Sequence, residues 1–209
     1  MTVLQQLSTH KIVPVLVMED AAQASPLADA LLAGGLGVAE VTFRTQAAQA
    51  AIAALADRGD MLVGAGTVLT REQVDRAIDA GAQFIVAPGT NPTVVEHALS
   101  RGVPMFPGVA TPTDIEMAMS LGLNTMKYFP AGAFGGLNTL NAIAGPYGDV
   151  RFIPTGGVNI NNLSDYLSHP KVVAVGGSWV AKKTLISAGE WNVITDLTRA
   201  AVDVAATCE

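Results

Sequence analysis

Lys127 stands inside an apolar run, Asn124-Thr-Met-Lys-Tyr-Phe-Pro130, and is the side chain with the clearest chemical potential in this 209-residue chain. Among five lysines it alone is flanked by large apolar residues, Met126 and Tyr128-Phe129. Lys11 precedes the first apolar run, Lys171 follows a His-Pro turn, and Lys182 and Lys183 read as a polar pair. Burial disfavours the charged form of an amine. A lysine tuned to about 7–8 keeps enough free amine to attack a carbonyl and form an imine. The same window also fits a strand-end lysine whose stem lies on apolar surface while its head reaches water. Its spatial neighbours decide between these readings.

Glu40 and Arg44 lie close together in Ala39-Glu-Val-Thr-Phe-Arg-Thr45. Glu40 alternates with Val41 and Phe43, a spacing that can point its carboxylate inward, where it must be paired or put to use. It can pair with Lys127 or Arg44, or move protons beside an imine-forming amine. Arg44, four residues later, can clamp a substrate carboxylate with two parallel hydrogen bonds. Gly156-Gly157 and Gly177-Ser178 can bring backbone N–H groups against an anion, with a following helix start adding partial positive charge.

Metal chemistry has little support. His10, His97 and His169 fall before a strand, within a helix and before a strand, away from the strand ends where ligands would gather. No nucleotide-binding loop, dinucleotide fingerprint or nucleophile elbow is present. We therefore expect neither a metal nor another cofactor.

Eight short apolar runs must position these residues: Ile12–Met18, Val38–Phe43, Leu62–Ala65, Phe84–Ala87, Pro104–Phe106, Thr125–Phe129, Arg151–Ile153 and Val172–Val175. They read as buried strands. Between them lie amphipathic Ala/Leu-rich segments: Ala21–Ala33, Ala47–Arg58, Arg71–Ala80, Pro92–Ser100, Pro112–Leu121, Leu137–Ala144 and Ile160–Leu167. Thr70 and Thr111-Pro112 read as helix starts. Gly34-Gly35, Gly59, Gly81, Gly102 and Gly122 read as stops. Strand–helix alternation implies parallel strands with right-handed crossovers. Eight units predict an α/β fold of the closed (β/α)8 TIM-barrel type, with an open doubly wound sheet as the alternative. A short helix around Leu7 is expected to cap the bottom of the barrel. A terminal helix within Ala188–Ala206 should pack through Trp191, Ile194, Leu197 and Ala201. No linker interrupts residues 1–209, which read as one domain.

Composition sets the remaining bounds. Half the residues are hydrophobic and 14% are charged, which suits many fully buried strands. A net charge of −6 without a basic run argues against nucleic acid or an anionic membrane surface as partner. One cysteine, Cys208, excludes a disulfide framework. No signal-peptide pattern opens the chain and no apolar stretch approaches the roughly 20 residues of a membrane span, so a cytoplasmic location is expected.

Five segments together resemble the 2-keto-3-deoxy-6-phosphogluconate (KDPG) and 4-hydroxy-2-oxoglutarate (KHG) aldolases. They are Glu40-Val-Thr-Phe-Arg-Thr45, Val63-Gly-Ala-Gly-Thr-Val68, Lys127-Tyr-Phe-Pro-Ala131, Arg151-Phe-Ile-Pro-Thr-Gly-Gly157 and Gly176-Gly-Ser-Trp179. The resemblance implies a metal-independent class I aldolase that works as a homotrimer on a phosphorylated keto acid. By this resemblance Lys127 forms the Schiff base and Glu40 transfers protons through a water. Arg44 and Thr67 lie near the pyruvate-derived carboxylate, Pro88 and Phe129 wall the imine, and Thr155 lies beside the pocket. Gly156, Gly157, Gly177 and Ser178 fall on the phosphate side. One departure is Gly132, where the family often carries an acidic residue. The phosphogalactonate analogue remains an alternative substrate, and a phosphosugar epimerase or decarboxylase an alternative activity.

Overall fold

The computed structural model describes residues Met1–Cys208. Helices and strands alternate: α1 (Val3–His10), β1 (Ile12–Leu16), α2 (Ala24–Ala33), β2 (Val38–Thr42), α3 (Ala48–Ala56), β3 (Leu62–Gly66) and α4 (Arg71–Asp79). Next come β4 (Phe84–Val86), α5 (Pro92–Ser100), β5 (Met105–Phe106), β6 (Gly108–Val109), α6 (Pro112–Ser120), β7 (Thr125–Tyr128) and α7 (Gly136–Ala144). The chain continues through β8 (Arg151–Phe152), α8 (Leu163–Leu167), β9 (Val175–Gly177), α9 (Lys183–Ala188) and α10 (Trp191–Ala206).

Local chemistry sets these boundaries. Thr111 starts α6 with a reciprocal cap: its side chain accepts from the Asp114 N–H, and the Asp114 carboxylate accepts from the Thr111 N–H. Thr70 accepts from the Gln73 N–H at the start of α4. Gly81, at φ +91°, follows α4 in left-handed backbone, which costs a residue without Cβ least.

All paired strands run parallel. One sheet has the order β5-β4-β3-β2-β1-β9, and a second has the order β6-β7-β8. Bridges Phe152–Val172 and Thr155–Gly176 connect β8 and the residues following it to the β9 segment. The strand expected at Pro104–Phe106 is β5, and past Pro107 a second short strand, β6, continues beyond its expected end. β2, β3 and β7 are buried along their whole length, as parallel strands covered on both faces must be.

Three expectations need correction. The last strand lies at Val175–Gly177 rather than Val172–Val175. Val172 and Val173 have suitable side chains, but Val175, Gly176 and Gly177 pair in register with Ile12, Val13 and Pro14. Helix α8 starts at Leu163, not Ile160, and has only five residues. No helix therefore begins directly after Gly156-Gly157. The terminal helix α10 lies within the expected Ala188–Ala206, after an unexpected α9 from which Gly189, at φ +69°, separates it, but its packing face differs. On α10 the buried stripe is Ile194, Thr198, Ala201 and Ala205, whereas Leu197 is exposed and Trp191 only half-buried. Thr198 takes the buried place expected of Leu197, against Gly34, which leaves room for it: a Cβ on Gly34 would fall 2.5 Å from that of Thr198.

Candidate active site

Side chains from β1, β2, β4, β5 and β7 converge around a void of ≈ 10 Å³. Its lining includes Val13, Glu40, Phe84, Phe106 and Lys127, with Leu7 contributed by α1. Phe84 and Phe106 pack edge to face, ring centroids 6.2 Å apart. Above this apolar floor the Lys127 Nζ donates to Glu40 Oε1 at 3.3 Å, with the two side chains 8% and 4% exposed. The Nζ also stands 5.2 Å from the Phe129 ring centroid, within cation–π range. Removing two charges from water costs several kcal/mol per ion, roughly, and a buried pair is weak evidence of stabilisation. An amine and a carboxylate held together in this way can instead exchange protons with a bound reactant.

Backbone pairing fixes the amine. Lys127 pairs with Gly108, and its N–H donates to the Pro107 carbonyl at 2.8 Å. The following loop is tied to the segment after β8: Ala131 N–H donates to Thr155 O and Gly132 N–H to Gly156 O, each at 2.8 Å. Burial pushes the Tyr128 hydroxyl pKa up, so it stays a neutral donor, and it donates to Phe134 O at 3.1 Å. Gly132 leaves no space to spare, since a Cβ there would meet Gly157 Cα at 3.2 Å.

A cleft of ≈ 310 Å³ opens beside this pair, lined in part by Arg44, Phe129, Thr155, Gly156, Gly157 and Gly177, with Ser178 at its edge. Thr155 faces both the cleft and the inner void, and its hydroxyl occupies the space a Cβ on Gly176 would need, 2.3 Å away. Gly156 and Gly157 adopt φ of +88° and +85°. Seven of the expected binding residues thus share one cleft. Thr67 and Pro88 do not line it: Thr67 is half-buried at φ +56° after β3, and the Pro88 carbonyl crowds Gly108. A further recess, ≈ 730 Å³, includes Arg44, Gln73 and Arg76 but neither Lys127 nor Glu40.

Sequence reading missed several cleft residues. Val15 and Val17 come from β1 and its end, where no polar residue drew attention, and Val158 follows the glycine pair. Lys182 and Lys183 also line the cleft. Their signal was position, only a few residues beyond Gly177-Ser178. Among the described residues, no three His, Cys, Asp or Glu side chains gather to hold a metal ion. No helix there is long and apolar enough to cross a membrane.

An amine on one parallel strand, a carboxylate on another and a glycine-lined cleft define an α/β protein suited to imine chemistry. The family model for KDPG and KHG aldolases matches residues 3–197, and the chain belongs to that family. It is 47% identical over 204 residues to the 2-dehydro-3-deoxy-phosphogluconate aldolase of Treponema pallidum (strain Nichols), covering 97% of each chain. It is 43% identical to the KHG/KDPG aldolase of Escherichia coli (strain K12), covering 94% of this chain and 93% of that one. The crystal structure of the Legionella pneumophila KDPG aldolase, with pyruvate captured as a covalent carbinolamine, superposes with a TM-score of 0.91. Those two chains are 39% identical, over 95% of this one and 97% of the other.

Proposed function

We propose that this chain is a metal-independent class I aldolase, a carbon–carbon lyase acting on 2-keto-4-hydroxy acids. Its main substrate is 2-keto-3-deoxy-6-phosphogluconate, cleaved to pyruvate and glyceraldehyde 3-phosphate. It also cleaves 4-hydroxy-2-oxoglutarate to pyruvate and glyoxylate. The observation that carries this reading is the buried contact of Lys127 Nζ with Glu40 Oε1 at 3.3 Å, beside the glycine-lined cleft.

Neutral Lys127 adds to the C2 carbonyl, and loss of water gives a protonated imine that serves as electron sink. Glu40, through a water, accepts the proton of the C4 hydroxyl. The C3–C4 bond breaks, its electrons pass to the imine, and C4 leaves as the aldehyde carbon. The resulting enamine takes a proton at C3, and hydrolysis releases pyruvate and restores the amine. Arg44 holds the carboxylate of the pyruvate half, Phe129 walls the imine, and Thr155 borders the reacting carbons. Gly156, Gly157, Gly177 and Ser178 receive the phosphate through backbone N–H groups and the serine hydroxyl.

The same reading makes residues 1–209 one domain, a closed eight-stranded barrel capped by α1, assembled as a cytoplasmic homotrimer. Closure is supported by the pairing of β1 with both β2 and β9, the Thr155–Gly176 bridge, and the continuity of β5 with β6 through Pro107. The cap is supported by Leu7, which reaches the inner void and is 1% exposed.

Borohydride reduction in the presence of pyruvate tests the mechanism. The expected product is a three-carbon adduct on Lys127, found by mass spectrometry, with activity retained in a chelator. An active enzyme with no adduct at Lys127 would sink the imine mechanism.

A further inference from the structure

The cleft carries positive charge beyond its glycine loops. Lys183 opens α9 and Lys182 precedes it, and both line the cleft with Gly177 and Ser178. Lys183 Nζ lies 2.5 Å from Glu19 Oε1, in the loop after β1, and the two side chains are 53% and 52% exposed. Lys182 has no ion-pair partner among the described residues. Glycine N–H groups and a serine hydroxyl donate hydrogen bonds but carry no formal charge. A phosphate monoester brings nearly two negative charges at neutral pH, and a chain of net charge −6 repels it at long range. Local cations must offset that repulsion.

We propose that Lys182 and Lys183 select the phosphorylated end of the substrate, and that Glu19 holds Lys183 until a phosphate displaces it. This rests on the aldolase reading and names the side chains that set its substrate preference. Water screens most of an exposed ion pair, so Glu19 is a weak competitor. The phosphate brings more charge and three strong acceptor oxygens. With Arg44 on the same cleft, each anionic end of a phosphorylated keto acid meets a cation. In 4-hydroxy-2-oxoglutarate the second anion is bonded directly to the carbinol carbon. In the phosphorylated acid it lies two further carbons and an oxygen away, so only the longer substrate extends toward the lysines.

The test is the ratio of kcat/KM for the phosphorylated sugar acid to that for 4-hydroxy-2-oxoglutarate. It is measured in the wild type, K182A/K183A, K182R/K183R and E19Q. The alanine pair should lower the ratio about tenfold, chiefly through KM for the phosphorylated substrate, and the arginine pair should keep it within about twofold. E19Q should raise the ratio roughly two- to threefold, as a weak competitor is removed. An unchanged ratio in the alanine pair overturns the role of the lysines, and an unchanged ratio in E19Q overturns the exchange. Pyruvate trapping on Lys127 is run on each protein. Trapping throughout with an unchanged ratio overturns this inference alone, whereas an active wild type that gives no adduct overturns the aldolase reading itself.

Discussion

The Glu40 carboxylate fills the volume that a side chain on Gly66 would need: a Cβ built there falls 2.1 Å from Oε1. Gly66 pairs with Thr42, two residues beyond Glu40 on β2, so the neighbouring strand leaves space beside the acid. Gly66→Ala should displace the carboxylate from Lys127 and lower kcat about 10- to 100-fold, part of what a placed proton acceptor supplies. Steady-state kinetics check this, with circular dichroism showing that the fold persists. An unchanged kcat would mean that Glu40 moves aside without consequence.

Glu40→Gln keeps the shape but removes the proton acceptor. Turnover should fall by roughly 10²-fold or more, while borohydride still traps pyruvate on Lys127. Loss of both turnover and trapping would assign Glu40 to imine formation rather than to cleavage of the carbon–carbon bond.

Leu7 joins α1 to the void beneath the reactive pair. Leu7→Ala should destabilise the protein by about 2–5 kcal/mol, the usual range for truncating a buried leucine. Urea unfolding measures this directly. A loss below about 1 kcal/mol would show that α1 contributes little to closing the core.

Two histidines set an acid limit. Burial lowers the pKa of His10 and, aided by the Lys171 charge, that of His169. The His169 ring also accepts from the Lys171 N–H through Nδ1, at 3.1 Å, a contact that protonation of that nitrogen removes. In the unfolded chain both titrate near the ordinary 6.5. Between that value and the depressed native value the unfolded state binds more protons. Their contribution to stability is therefore present above pH 6.5 and is lost as pH falls through the native values. Urea midpoints should decline from pH 7.5 to 5.5, and the decline should be shallower in a His10→Gln, His169→Gln variant. Equal declines in the two proteins would remove the histidines as the cause.

The sequence exposed the alternation of strands and helices because six of the eight apolar runs stop at a glycine or proline and four helices, α1, α4, α5 and α6, carry a side-chain N-cap. Pro92–Ser100 was bounded at both ends by such signals and forms α5 over the same residues. Val172–Val175 misled because β-branched residues fit a strand wherever it pairs, while register with Ile12–Pro14 selected Val175–Gly177. The proximity of Lys127 and Glu40 followed from placing both on inward strand faces. Lys182 and Lys183 were passed over because exposed lysines are ordinarily solvated, and only the path of the chain after β9 turns them to the cleft. Thr67 and Pro88 came from family resemblance, which carries residue identity but not the shape of this cleft.

The two backbone hydrogen bonds from Ala131 and Gly132 to Thr155 and Gly156 join the loop after the reactive lysine to the glycine pair. With Gly132 and Gly157 in direct contact, neither segment can shift without moving the other. An anion bound at the glycine pair, as proposed, would then be mechanically tied to the amine, and linkage would make their energetics reciprocal. Whatever factor an inorganic anion bound there applies to pyruvate affinity, bound pyruvate must apply to the affinity for that anion.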